Sequence, residues 1–287
     1  MKRAAMTTVV VVGIAACSFA QSNPPAPQNT QSGQPAGQAA PAPTGKRPPQ
    51  AKTQPEFDAY KTAAALTDPA AQEKAAEDFA AKFADSELRA VLYKSAMHGY
   101  QQANNADKMM DMSQKVLNYD ADDPEALLGV AQVLAERTRD TDLDKDQRLA
   151  EAKKNAQRAL STVETDIPTA GQPPDRIEAY KSFLRSEAYA ILGTLEYNAK
   201  AWPDAEGDLR KSIDAFPQQV DPIAVLRLSI ALDNQKRYPE ALKYASQAVE
   251  LTKEGTNAGA AARAEKDRLT KLNSGTEPTS SPAPPKN

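Results

Sequence analysis

Between Ser186 and Pro217, large and small residues fall at spacings that a pair of packed helices requires. With Ser186 as position 1, Tyr189 stands at 4, Leu192 at 7, Gly193 at 8 and Trp202 at 17. Ala205 follows at 20, Leu209 at 24, Ser212 at 27 and Pro217 at 32. The helical period gathers the first set on one face of a first helix and the second set on one face of a second. Small side chains at 8 and 20 let two antiparallel helices approach closely, while large ones at 4, 7 and 24 fill the space between neighbouring pairs. Pro217 ends the second helix because it cannot donate the next backbone hydrogen bond. The pattern then returns from Pro222. Val225, Leu228, Ser229 and Leu232 take 4, 7, 8 and 11, and Tyr238, Ala241, Ala245 and Ala248 take 17, 20, 24 and 27. In both copies a proline follows the aromatic at 17 (Pro203, Pro239), a favoured helix start.

Weaker copies precede these two. From Ala90, Tyr93 and Tyr100 take 4 and 11 and Val116 takes 27, but Met97 and Met109 occupy the positions that should be small. Either that pair splays or its register shifts. From Pro124, Leu127, Val130, Ala131 and Leu134 suit a first helix; Ala152, Ala156 and Ala159 supply the second after an insertion of about nine residues. EFDAYKTAAAL and AAQEKAAEDFAAKF, separated at Asp68-Pro69, form an opening pair, and NAGAAARAEKDRLTKL is a candidate capping helix. Ala, Leu, Glu, Lys and Gln dominate this region and alternating β-branched runs are nearly absent, so an all-α fold is expected.

The large/small pattern resembles the tetratricopeptide repeat (TPR) family. The resemblance implies an α-solenoid, a right-handed superhelix of antiparallel helix pairs, with four to five units and a cap over residues 54–272. AAEDFAAKFADSELRAVLYKSAMHGY also resembles the opening of TPR lipoproteins of the outer-membrane assembly type, with Ala84 where their aromatic-xxx-aromatic-Pro-x-Ser pattern has proline.

The ends read differently. Lys2 and Arg3 precede the short apolar run AAMTTVVVVGIAA, which predicts a secretory signal peptide over 1–20. Two processing sites fit. Ser18-Phe19-Ala20 suits signal peptidase, whereas Ile14-Ala15-Ala16-Cys17 resembles a lipobox, in which Cys17 would be lipidated and tether the chain to a membrane. Residues 21–53 are rich in Pro, Gln and Ala and are expected to be a disordered linker, as is the tail 273–287. The expected location is outside the cytoplasm of a bacterium, periplasmic or associated with the outer membrane.

Signals for chemistry are sparse. The chain has one histidine and one cysteine, which removes most His-dependent triads, multi-His metal sites and any disulfide. No phosphate-binding glycine loop or nucleophile-elbow motif occurs, so neither an enzyme nor a cofactor is expected. A net charge of −3 gives no footprint for nucleic acid. The insertion RDTDLDKDQRLAE holds the one metal-like spacing. Asp140, Asp142, Asp144, Asp146 and Glu151 stand at 1, 3, 5, 7 and 12 of an EF-hand-type calcium loop, but Lys145 replaces its turn glycine. A solvated charged turn is the favoured reading of it, and a calcium- or ligand-binding module the alternative.

In TPR proteins, partners lie against the first helix of each pair, and the resemblance places Lys94, His98, Gln101, Gln132, Glu136, Tyr197, Asn198, Asp233 and Asn234 on that face. Amide and mixed-charge side chains of this kind suit an extended peptide or a protein segment. The expected function is therefore a non-enzymatic interaction scaffold of the cell envelope.

Overall fold

A computed structural model describes residues 45–275. The expected signal peptide, the Cys17 lipidation site, most of the linker and most of the C-terminal tail lie outside the described residues. Within them the fold is all-α, built of eleven helices. In chain order these are α1 (Gln54–Ala64), α2 (Pro69–Lys82), α3 (Leu88–Gln102), α4 (Ala106–Tyr119), α5 (Pro124–Arg137), α6 (Lys145–Thr162), α7 (Pro174–Asn198), α8 (Trp202–Ala215), α9 (Pro222–Asn234), α10 (Tyr238–Leu251) and α11 (Asn257–Asn273). None is long and apolar enough to cross a membrane.

Local chemistry sets the helix starts. Asp-Pro opens three of them: Asp68, Asp123 and Asp221 each accept backbone N–H groups of the first turn, and the following proline fills a position with no bond to lose. Thr53, Asn105 and Thr256 cap α1, α4 and α11 in the same way. Three turns within helix pairs share one geometry. Asn104, Lys200 and Lys236, each fifteenth in its unit, adopt φ of 54°, 59° and 62°. Behind them the N–H groups of Asn105, Ala201 and Arg237 reach back to the carbonyls of Tyr100, Glu196 and Leu232 at 2.9–3.0 Å. This is a Schellman-type stop, which ordinarily carries glycine or asparagine.

Each helix packs on the next in sequence. A second set of contacts joins alternate helices: α1 with α3, α5 with α7, α7 with α9, and α9 with α11. The even-numbered helices have no comparable contacts with one another. The first helices of the pairs therefore form one layer and the second helices another. Between the layers run three apolar clusters containing the residues that the spacing selected, including Leu127, Val130, Ala131, Ala152, Ala156, Leu192, Ala205, Leu209, Val225, Leu228, Ala241 and Ala245. Met97 and Met109 are buried together in the cluster around α3 and α4, so the flexible thioether stands where other pairs use a small residue. Ser229 at the small position donates to the Ala241 carbonyl across the helix pair at 2.8 Å. Trp202 packs edge-on against Tyr197, ring centroids 5.5 Å apart, and joins the core of the last two pairs.

Two features depart from the sequence reading. Helix α7 begins twelve residues before Ser186, at Pro174 directly after Pro173, and its extra turns carry Tyr180 and Lys181. The last nine linker residues, 45–53, lie against the helices. Lys46 pairs with Asp120 and Asp166, forms an isolated parallel bridge with Pro168, and is followed by Arg47 paired with Glu87. The backbone passes so close at Gly45 that a Cβ there would meet Thr169 Cγ2 at 2.6 Å.

Two substitutions test this packing. A Cβ at Gly193 would stand 2.7 Å from Leu209 Cγ, and Leu209 is fully buried, so Gly193→Ala is expected to destabilise the protein by about 1–3 kcal/mol in urea unfolding. Lys236→Gly relieves a left-handed conformation at an exposed turn and should stabilise by about 1 kcal/mol in the same measurement.

Candidate binding face on the first-helix layer

The layer formed by the odd-numbered helices carries an unusual row of ionisable groups. Lys94 and His98 project from adjacent turns of α3 toward the start of α5. There the Lys94 ammonium pairs with Asp123 and lies 3.4 Å from Glu125, while His98 Nε2 is 2.6 Å from Glu125 Oε1. Asp123 is placed by its role as the N-cap of α5, and Glu125 by the first turn that this cap sets. Tyr180, on the extra turns of α7, faces the same carboxylate. These side chains are crowded by protein yet keep contact with water: Lys94 is 27% exposed, His98 34% and Glu125 18%.

Charge states follow from this setting. Burial pulls the His98 imidazole down, but Glu125 outweighs it and the net pKa lies above the ordinary value. Burial likewise opposes the charged Lys94, and Asp123 with Glu125 overcomes it, so the ammonium is held charged. Glu125 is pushed up by burial and down, more strongly, by His98 and Lys94, and it ends well below the usual carboxylate range. The Tyr180 hydroxyl is driven well above its ordinary value, first by burial and then by Glu125.

Further along the layer the row continues with different character. On α7, Glu187 makes no hydrogen bond or ion pair among the described residues, and burial, then Asp221 and Glu136, push its pKa up to about 7. Arg227 of α9 donates to Thr194 Oγ1 of α7 at 2.8 Å. Its guanidinium is lowered by burial against the opposing pull of Asp221, Tyr197 and Glu136.

Of the residues expected on this face, Lys94 and His98 enter the network just described. Gln132 donates to Glu136 at 3.1 Å, Gln101 is half-buried, and Asn198 and Asn234 are exposed at the ends of α7 and α9. Tyr197 and Asp233 are not open to a partner. Tyr197 is 5% exposed because its ring is drawn into the core by Trp202; Asp233 is 5% exposed because Arg268 of α11 reaches it at 2.5 Å, beside the fully buried Glu265. Asp123, Glu125, Tyr180, Glu187 and Arg227 were not singled out from the sequence. Glu125 and Glu187 are each second in their unit, a position that signals this face.

The acidic insertion does not form a cage. Helix α6 starts at Lys145, so Asp146 and Glu151 lie on the helix while Asp140, Asp142 and Asp144 precede it. Lys145 turns back to bond Asp140 at 2.7 Å, and Asp142 accepts from the Arg139 N–H at 2.9 Å. Among the described residues no group of three His, Cys, Asp or Glu side chains is placed to hold one metal ion. Nor is a serine, threonine or cysteine hydrogen-bonded to His98 among them. In an open recess of about 510 Å³ at Gly45, Lys46, Glu164, Thr165 and Lys181, both lysines are ion-paired.

No protein-family model and no curated protein matches the chain.

The single histidine makes one titration unambiguous. Stability from the His98–Glu125 pair is fully present below about pH 6.5, the unfolded imidazole value, and is lost as pH rises through the raised folded value. Imidazole NMR should therefore give a pKa above 6.5, and Glu125→Gln should lower it.

Proposed function

We propose that this chain is a non-enzymatic protein-interaction scaffold, a TPR-type α-solenoid exported to the bacterial cell envelope, which binds an extended peptide or protein segment along its first-helix layer. The observation that carries the reading is the row of crowded but water-reachable polar groups from Lys94 to Arg227, which runs across α3, α5, α7 and α9. A small-molecule site gathers its groups in one enclosed pocket. A face spread over four helices suits a long ligand.

Three further features support the solenoid part. The five helix pairs follow one another with a packed eleventh helix at the end. The stop at position 15 recurs in three of them. Contacts between alternate helices occur on the odd-numbered side, and in a curved stack the touching side is the concave one. Export rests on the N-terminal sequence, with its basic residues and short apolar run, and Cys17 would add a membrane tether.

Photo-crosslinking in the producing cells tests the reading. Crosslinkers at Asn198 and Asn234, exposed on the odd-numbered helices, should capture one dominant protein. Crosslinkers at Gln114 and Glu250, exposed on α4 and α10, should not. Capture from the second pair alone would move the site to the other layer, and no adduct from any of the four would remove the scaffold reading.

A further inference from the structure

Residues 45–53 form an arm with a fixed foot and a weakly held tip. At the foot, Ala51 packs against the cluster around α3 and α4. The Lys52 N–H donates to Glu56 at 2.7 Å, and the Lys52 ammonium donates to the Asp85 carbonyl at 2.7 Å. Between foot and tip stands Pro48-Pro49, a stiff pair with no N–H to donate. The tip lies across successive turns of the stack. Lys46 donates to Asp120, in the turn that closes the second helix pair, and to both oxygens of Asp166, at 3.1 Å each, in the loop that closes the third. Arg47 pairs with Glu87 in the loop that closes the first, with both side chains exposed.

Opposed effects meet at the tip. Asp120 and Asp166 bond one ammonium, so without Lys46 two like charges would stand together across the gap between their turns. Lys46 itself is 32% exposed, and salt screens an ion pair that water reaches. Closure also carries a cost. A Cβ at Gly45 would stand 2.6 Å from Thr169 Cγ2 and 2.8 Å from Thr169 Oγ1, and that hydroxyl is buried with no hydrogen-bond partner among the described residues. We infer that residues 45–50 are a salt-released latch on the stack. Seated, Lys46 draws the turns after α4 and α6 together. Released, the arm pivots about its foot at Ala51-Lys52, water reaches Thr169, and the two turns part under the repulsion of Asp120 and Asp166. Asp120 shares its turn with Asp123, whose N–H bonds the Asp120 carbonyl at 3.2 Å and whose carboxylate holds Lys94. The latch therefore sets the geometry at the α3–α5 end of the polar row, independently of what that row binds.

Amine acetylation of the full-length protein, read residue by residue by mass spectrometry, tests the release. At about 20 mM salt Lys46 should react about tenfold more slowly than the exposed Lys236, and at about 500 mM, where the Debye length is about 4 Å, most of that protection should be gone. The buried Lys181 should stay protected at both, which shows the fold intact. Hydrogen exchange tests the coupling. Lys46→Gln should speed exchange about tenfold in the turn 120–123 and the loop 164–170 and leave α9 and α10 unchanged. Lys46→Arg should keep the original rates, and adding Asp166→Asn to Lys46→Gln should return the protection, because the repulsion is gone. Lys46 as reactive as Lys236 at low salt would show an unseated tip, and protection undiminished at high salt a permanent strut. Either result overturns the latch, as does Lys46→Gln exchanging at the original rates or failing to recover with Asp166→Asn.

Discussion

The close approach of two helices within each pair is the constraint on which the rest depends. A Cβ at Gly193 would stand 2.7 Å from Leu209 Cγ, so something must shift to admit it, and Ser229 donates to the Ala241 carbonyl across its own pair at 2.8 Å. That tight fit aligns each first helix against its own partner and leaves its opposite edge to meet the first helix of the next pair. The layer of odd-numbered helices is a product of this arrangement, and it carries the polar row. Apolar burial then holds the stack together, with each fully buried leucine, such as Leu209, Leu226 or Leu228, contributing about 1.5–3 kcal/mol.

Helix caps and the polar row are tied through shared residues. Asp123 both starts α5 and neutralises Lys94; Asp221 starts α9 and adds to the negative field at Glu187. Binding chemistry is thus anchored to the backbone at the points where pairs join. These are rigid positions, because a capping carboxylate cannot swing away without releasing the first turn of its helix. The last helix is secured differently. Arg268 reaches the buried Asp233 and Glu265 together, and burial raises the Glu265 carboxylate, so α11 is fastened by a charged contact inside the end of the stack.

Much of this was legible in the sequence, and the reasons are specific. Small residues at repeat spacing and Asp-Pro helix starts are local signals: the pairs α7–α8 and α9–α10 follow the first, α2, α5 and α9 the second, and α3–α4 instead buries Met97 and Met109 at the small positions. The extra turns of α7 were not legible, because they lie before the unit that the spacing defines and carry no repeat signature. Lys94 and His98 could be placed on a face, but their partners Asp123 and Glu125 read as an ordinary cap and first-turn acid. Tyr197 and Asp233 sit where the repeat resemblance expects open residues. Trp202 and Arg268, one in the next helix and one on α11, turned them inward. Trp202 is itself a repeat position, but its pull on Tyr197 is a packing outcome, and Arg268, far along the chain from Asp233, leaves no trace in spacing.

The seat of Lys46 bears on how the molecule would carry force. A pull on the chain ahead of residue 45 does not reach α1 first. It is taken up by Asp120 and Asp166, in the turns that close the second and third helix pairs, with Glu87 next in line through Arg47. Load entering from that end is spread over the middle of the stack, and the first pair is spared until those contacts part.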